Sequence, residues 1–272
     1  MNLEASYVAV SKFVRLPGGL RLEYLEYGTG TGTPAVLLHG VTDSCRSFEP
    51  VLPLLPATLR VLALSQRGHG DSDRPESGYG YSDLSGDLAA FLDALGIDKA
   101  VIIGHSMGAM VAQRFAIDHP TRVAGLMLIG AFSTLYNDGG IAAFVASSID
   151  PLGDPISAEF AREWQLSTTA RPIDPEFLDI VIRETVKVPA RVWRAAFHGF
   201  LETPDFSAEL GRLAVPVSIL WGDQDTYALR GHQEALLAAM PHARFLVYEG
   251  GHALHWEQPA AVAGAIGAFM NV

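Results

Sequence analysis

The sequence predicts an α/β fold: a mostly parallel central sheet of about eight strands, helices on both faces, and a helical insertion. Three observations predict it. Short continuous apolar runs such as Pro34-Ala35-Val36-Leu37-Leu38 and Ala100-Val101-Ile102-Ile103 read as strands covered on both faces. They alternate with segments of helical periodicity, the rhythm of βαβ units. Between Ala131 and Ser207 that rhythm stops, and prolines at 151, 155, 172, 175, 189 and 204 separate aromatic-rich helical patches.

In chain order, Tyr7 to Arg15 and Leu20 to Tyr27 alternate around Pro17-Gly18-Gly19 and read as an antiparallel hairpin. Strands follow at 34–38 and 59–64, with a helical pattern around Phe48 to Leu55. Tyr81 to Leu95 places Leu84, Leu88, Phe91, Leu92 and Leu95 on one helical face, with Ser82 and Ser85 near its start. Next come a strand at 100–103, a helix from Met107 to Asp118 and a strand from Val123 to Ile129. After the insertion the α/β series resumes with a strand from Val215 to Trp221, a helix from Gly231 to Met240, a strand from Arg244 to Tyr248 and a last helix from Pro259 to Met270. The expected organisation is therefore a core of residues 1–130 and 208–272 and an insertion of residues 131–207.

Bulk properties narrow the function classes. With 272 residues, 49% hydrophobic, the chain suffices for one large core. A net charge of −11 without a basic stripe argues against nucleic acid as a partner. Cys45 is the single cysteine, so no internal disulfide forms. Met1 to Ser6 lacks the pattern of a signal peptide, and the apolar stretch from Val123 to Phe132 is too short to span a bilayer. A cytoplasmic protein, monomeric or homodimeric, without a membrane partner is expected. Metal and nucleotide cofactors are not expected: the histidines show no metal-ligand spacing, and Gly28-Thr29-Gly30-Thr31-Gly32 precedes a strand and lacks the Gly-Lys-Ser/Thr of a phosphate loop.

The chemistry concentrates at Gly104-His105-Ser106-Met107-Gly108, a G-x-S-x-G between a strand and a helix. Such a turn presents its serine outward and leaves no room for Cβ atoms two residues on either side. A serine nucleophile needs a base, and the base needs an orienting acid. Both belong in loops after later strands. Gly222-Asp223-Gln224-Asp225 offers two acids, and Gly250-Gly251-His252-Ala253-Leu254-His255 two histidines; the paired glycines suit delivery of His252, with His255 structural or at the rim. An oxyanion hole needs backbone N–H donors. Met107 follows the serine, and Val41 follows His39-Gly40 after an earlier strand. His39, His69 and His105 read as hydrogen-bonded scaffold, and Arg46 and Arg67 as ion-pair residues. Trp164, Trp193 and Phe197, among the insertion's aromatics, are expected to line a substrate pocket.

Taken together, Leu38-His39-Gly40, Gln66-Arg67-Gly68-His69-Gly70-Asp71-Ser72, Gly104 to Gly108, Trp221 to Asp225 and Gly251 to Pro259 resemble the α/β-hydrolase-fold enzymes of the cap-bearing esterase, lactonase and perhydrolase type. The resemblance implies Ser106 as nucleophile, Asp225 as acid, His252 as base and the insertion as a cap. It implies hydrolysis of small, largely apolar esters or lactones through an acyl-enzyme. C–C bond hydrolases, amidases and perhydrolases share this machinery, and a non-catalytic ligand receptor on the same fold is the reading from a different class. Epoxide hydrolases and haloalkane dehalogenases use a carboxylate where Ser106 stands.

Overall fold

A computed structural model describes residues 9–271. The segment Met1 to Ser6, and Tyr7 and Val8 of the expected first strand, lie outside the described residues. Eight strands form one sheet in the order β1-β2-β4-β3-β5-β6-β7-β8. They span Val10–Arg15 (β1), Arg21–Tyr27 (β2), Ala35–Leu38 (β3), Val61–Leu64 (β4), Ala100–His105 (β5), Val123–Ile129 (β6), Val217–Gly222 (β7) and Arg244–Tyr248 (β8). The hairpin β1–β2 and the pair β2–β4 are antiparallel, and all other pairs are parallel.

The continuous apolar runs are central strands: every residue of β3, β4, β5 and β7 is buried. Successive side chains point to opposite faces. Val36, Leu38, Ile102 and Leu128 therefore pack with Leu84, Leu88 and Phe91 of α1 (Tyr81–Ala94) and Met110, Val111 and Phe115 of α2 (Met107–Asp118). On the other face Leu37, Ile103 and Met127 meet Phe48, Leu52 and Ile266. Fully burying each such side chain contributes about 1.5–3 kcal/mol.

Two local expectations are corrected. The helix expected around Phe48 to Leu55 is a pair of 3₁₀ turns, Cys45–Phe48 and Leu52–Leu54. Pro50, Pro53 and Pro56 remove amide donors and push their predecessors out of the helical region. The start of α1 is not set by Ser82: Asp83 reaches back and its carboxylate accepts the Gly80 N–H at 3.2 Å.

The insertion between β6 and β7 contains α3 (Gly139–Phe144), α4 (Ala158–Ser167), α5 (Pro175–Val186) and α6 (Ala190–Glu202). Beyond β7 come α7 (Arg230–Ala239), α8 (Leu254–Glu257) and α9 (Pro259–Met270). Register places the strand ends that matter side by side: Leu38 opposite Gly104, His105 opposite Ile129, Ile129 opposite Leu220, and Gly222 opposite Tyr248. The loops after β3, β5, β7 and β8 thus leave the same edge of the sheet. No helix among the described residues is long and apolar enough to cross a membrane.

Candidate active site

Ser106 sits between β5 and α2 at φ +51° and ψ −116°. That conformation costs a non-glycine residue about 1–3 kcal/mol. Its surroundings hold it there. The Ser106 N–H donates to the Ile129 carbonyl at 3.0 Å. A Cβ on Gly104 would overlap the Gly108 carbonyl, and one on Gly108 would overlap the Leu38 carbonyl. The glycines of the motif are therefore a packing requirement of the turn against β3.

The Ser106 hydroxyl lies 2.8 Å from His252 Nε2, and His252 Nδ1 lies 2.9 Å from Asp225 Oδ2. The carboxylate can only accept, so Nδ1 carries the proton and Nε2 is left to accept from the hydroxyl. Asp225 is itself oriented: its Oδ1 accepts the N–H groups of Tyr227 and Ala228 at 2.8 and 2.9 Å. Burial pushes its carboxyl up, but the electrostatic interaction and hydrogen bond with His252 and the bonds from Tyr227 and Ala228 outweigh burial and hold it below the ordinary carboxylate range. Asp223, the rival acid, is exposed and points elsewhere: its Oδ1 accepts the Gly250 N–H at 3.2 Å and ties the two loops together.

His39, His69, His105 and His255 form a buried scaffold around it. Burial drives the His105 imidazole down to about 3 and that of His69 down to about 4. His105 Nε2–H donates to the His252 carbonyl at 3.0 Å and so anchors the His252 backbone. His39 Nδ1–H donates to the Gly40 carbonyl at 2.7 Å, while its Nε2 accepts the Gln66 N–H at 3.0 Å. His255 is fully buried against Ser47 at 2.9 Å, the structural rather than the rim alternative of its reading. Arg67 pairs with both oxygens of Asp87, and Arg46 with Glu49 and Glu184.

A cavity of about 360 Å³ opens above Ser106 and His252. Val41 and Met107 are in its wall. Met107 heads α2, where the first amides have no helical partner. Among the described residues, no acceptor in the chain takes the Val41 or Met107 N–H. Trp164 and Phe197 line the cavity; Trp193 does not, contrary to expectation. Trp193 is fully buried behind them, its ring 5.5 Å from that of Trp164. Helical spacing placed Trp193 and Phe197 on one side of α6 but could not separate the layer facing the cavity from the layer beneath it.

Sequence reasoning missed Met110, Asp43, Gln165 and Tyr227, all in the wall. Tyr227, two residues after Asp225, stands with its ring 5.3 Å from that of His252. Its place in the acid loop was the available signal. Asp43 is buried, and burial pushes its carboxyl up to about 8 against the opposing bonds from Gln165, Ser47 and Gly40. Among the described residues, no lysine or arginine lines the cavity. Gly140, Thr226 and Leu229 are its exposed lining residues, so the mouth lies between the start of α3 and the loop before α7.

The family model described as "Alpha/beta hydrolase family" matches residues 35–265. The chain is 31% identical over 262 residues to the dihydrolipoyllysine-residue acetyltransferase component of the acetoin cleaving system of Pseudomonas putida, covering 93% of this chain and 68% of that protein. It is 26% identical to 2-hydroxy-6-oxononadienedioate/2-hydroxy-6-oxononatrienedioate hydrolase 2 of Pseudomonas putida, covering 94% and 95% of the two chains. Among solved structures, the enol-lactonase from Burkholderia xenovorans LB400 superposes with a TM-score of 0.80 at 21% identity, covering 96% of this chain and 100% of that one. The match of fold and of nearly the whole sequence has one consequence: this chain belongs to the alpha/beta hydrolase family.

Proposed function

We propose that the protein is a serine hydrolase of carboxylic esters or lactones with small, apolar, uncharged acyl groups. The observation that carries this reading is the unbroken line from Ser106 Oγ through His252 to Asp225, with contacts of 2.8 and 2.9 Å, at the floor of an apolar cavity. Ser106 Oγ attacks the substrate carbonyl as His252 Nε2 takes its proton. Asp225 stabilises the resulting imidazolium, and the Val41 and Met107 N–H groups receive the charge on the carbonyl oxygen. His252 then protonates the leaving alkoxide. The acyl-enzyme is hydrolysed by water that His252 activates in turn.

The wall supports the uncharged acyl group. The relative named for a dioate acts on a dianion, and a carboxylate buried without a partner is strongly unfavourable. This cavity offers such a group no arginine or lysine among the described residues. Hydrolysis of a C–C bond in an acidic substrate is thereby disfavoured. The insertion, lying over the edge from which the site loops emerge, acts in this reading as the cap.

The test is turnover of p-nitrophenyl acetate and butyrate, with fluorophosphonate labelling, in wild type and Ser106→Ala. The variant should lose labelling and at least about 10³-fold in kcat. Near wild-type turnover in Ser106→Ala refutes the mechanism, and a folded wild type inert to a panel of esters and lactones favours the ligand-receptor reading.

A further inference from the structure

One short stretch of the insertion touches three of the four loops of the site, those after β3, β7 and β8. Residues 164–170 comprise the last turn of α4 and the segment after it. Trp164 Nε1–H donates to Thr42 Oγ1 at 3.0 Å, and Gln165 Nε2–H donates to Asp43 Oδ1 at 3.0 Å; both partners are in the loop that carries Val41. Ser167 and Tyr227 share a hydroxyl hydrogen bond of 2.6 Å, which reaches the loop of Asp225. The Ala253 N–H donates to the Thr168 carbonyl at 2.9 Å. Glu257 Oε1 accepts from both Ala170 and Gly251, at 3.2 and 2.9 Å, and these contacts flank His252. The stretch is anchored in turn: Gln165 Nε2 also donates to Thr185 Oγ1 of α5 at 2.6 Å.

The first of these contacts bears on strained backbone. Thr42 is fully buried at φ +69°, a left-handed conformation unfavourable for a β-branched residue. Such a residue persists only where its surroundings over-determine it. Its hydroxyl is held by a tryptophan of the insertion, 122 positions away in sequence. Thr42 φ orients the Val41–Thr42 peptide, so a Thr42 that relaxes toward negative φ swings the Val41 backbone and with it the Gly40–Val41 peptide that carries the Val41 N–H. Thr42 itself is absent from the cavity wall.

We propose that Trp164 and Thr42 form a positioning pair, through which the seated insertion holds the Val41 N–H on the oxyanion side of Ser106. The proposal rests on the serine-hydrolase reading for its kinetic consequence, but not for its structural one. Neither residue is catalytic. Loss of this pair alone leaves the contacts to the Asp225 and His252 loops in place and disorganises the oxyanion hole.

The experiment compares wild type, Thr42→Ser, Thr42→Val, Trp164→Phe and the Thr42→Val/Trp164→Phe double variant. It reads p-nitrophenyl butyrate kinetics and amide hydrogen exchange of the segment 39–47. Complete removal of one oxyanion donor lowers kcat by about 10²–10³. A displaced donor should lower it about 10–100-fold in Thr42→Val and in Trp164→Phe, with the Thr42→Val KM within about threefold of wild type. Thr42→Ser, which keeps the hydroxyl, should stay within about threefold of wild type throughout. The double variant should fall no more than about threefold below the lower single, because the second change removes a bond already broken. Exchange in 39–47 should rise in every variant except Thr42→Ser. Multiplicative losses in the double variant, wild-type kcat in Thr42→Val, or unchanged exchange in 39–47 overturns the proposal. So does exchange that rises throughout the chain, because the loss is then global. A wild type that neither hydrolyses esters nor reacts with a fluorophosphonate refutes the serine-hydrolase reading instead, and the exchange data alone then decide whether the pair holds the loop.

Discussion

Replacing Asp225 by asparagine tests the proposed role of Asp225 as orienting acid, because the structure dictates how the new side chain must sit. Asp225 Oδ1 accepts two backbone N–H groups, from Tyr227 and Ala228, at 2.8 and 2.9 Å. An asparagine must offer its carbonyl oxygen to those donors, since an amide NH₂ there would face them donor to donor. Its NH₂ then occupies the place of Oδ2, which lies 2.9 Å from His252 Nδ1. Nδ1 must now accept, so the neutral imidazole carries its proton on Nε2 and cannot take the one from Ser106. Size and backbone anchoring are conserved, so the loss falls on chemistry. The same inversion of tautomer in a serine protease triad costs about 10⁴ in kcat, about 5 kcal/mol of transition-state stabilisation. Steady-state hydrolysis of p-nitrophenyl butyrate reads it, with thermal denaturation as the check on folding. Asp223→Asn is the internal control: Asp223 is exposed and accepts only the Gly250 N–H, so kcat should stay within about threefold. Asp225→Asn retaining a tenth or more of wild-type kcat, or Asp223→Asn showing the larger loss, refutes the reasoning.

The remaining expectations concern the cavity, acid stability and the turn. With no cation in the wall among the described residues, kcat/KM for monomethyl glutarate should be about 100-fold or more below that for methyl pentanoate in a pH-stat assay; equal values contradict the charge argument. His69 and His105 have folded values near 4 and 3 against an ordinary 6.5, and His39 and His255 are also lowered. Below pH 6.5 the unfolded chain therefore binds protons that the folded chain refuses, and stability falls by about 1.4 kcal/mol per pH unit for each such histidine. Asp43, raised to about 8 in the fold, acts in the opposite direction, losing stability as pH rises toward that value. The histidines outnumber it, so the urea midpoint should drop steadily from pH 6.5 to 5; a flat midpoint is the contrary result. Gly108→Ala drives a Cβ into the Leu38 carbonyl, where no flexible side chain can yield, and should lower unfolding free energy by about 3 kcal/mol or more in urea titration. A variant as stable as wild type would show that β3 and the turn are less tightly apposed.

Much of the fold and of the candidate site is legible in the sequence, and the reason is local. A strand covered on both faces must be apolar at consecutive positions, which is why the runs at Val36, Ile102 and Leu220 announced central strands. The turn at Ser106 admits only glycine at 104 and 108, for reasons internal to one strand–turn–helix unit packed on its neighbour. Three prolines, at 50, 53 and 56, overrode the periodicity around Phe48, a competition that a periodicity reading underweights. The two acids, 223 and 225, are alike in composition and separated only by direction: one bridges two loops at the surface, the other turns inward.

The order and type of the core elements, the strained turn at Ser106 and the set of loops that could supply its partners were inherent in the chain, because each depends on neighbours within a few residues or on the run of a single strand. Which side chains share the space above Ser106 was decided by tertiary packing alone. Trp193 and Phe197 lie four residues apart on one helix, yet only Phe197 reaches the cavity, because Trp164 lies across Trp193. Trp164 meets Thr42 from the far side of the chain. Contacts of that kind depend on how two separately folded surfaces come to rest against each other, and no local pattern encodes that placement.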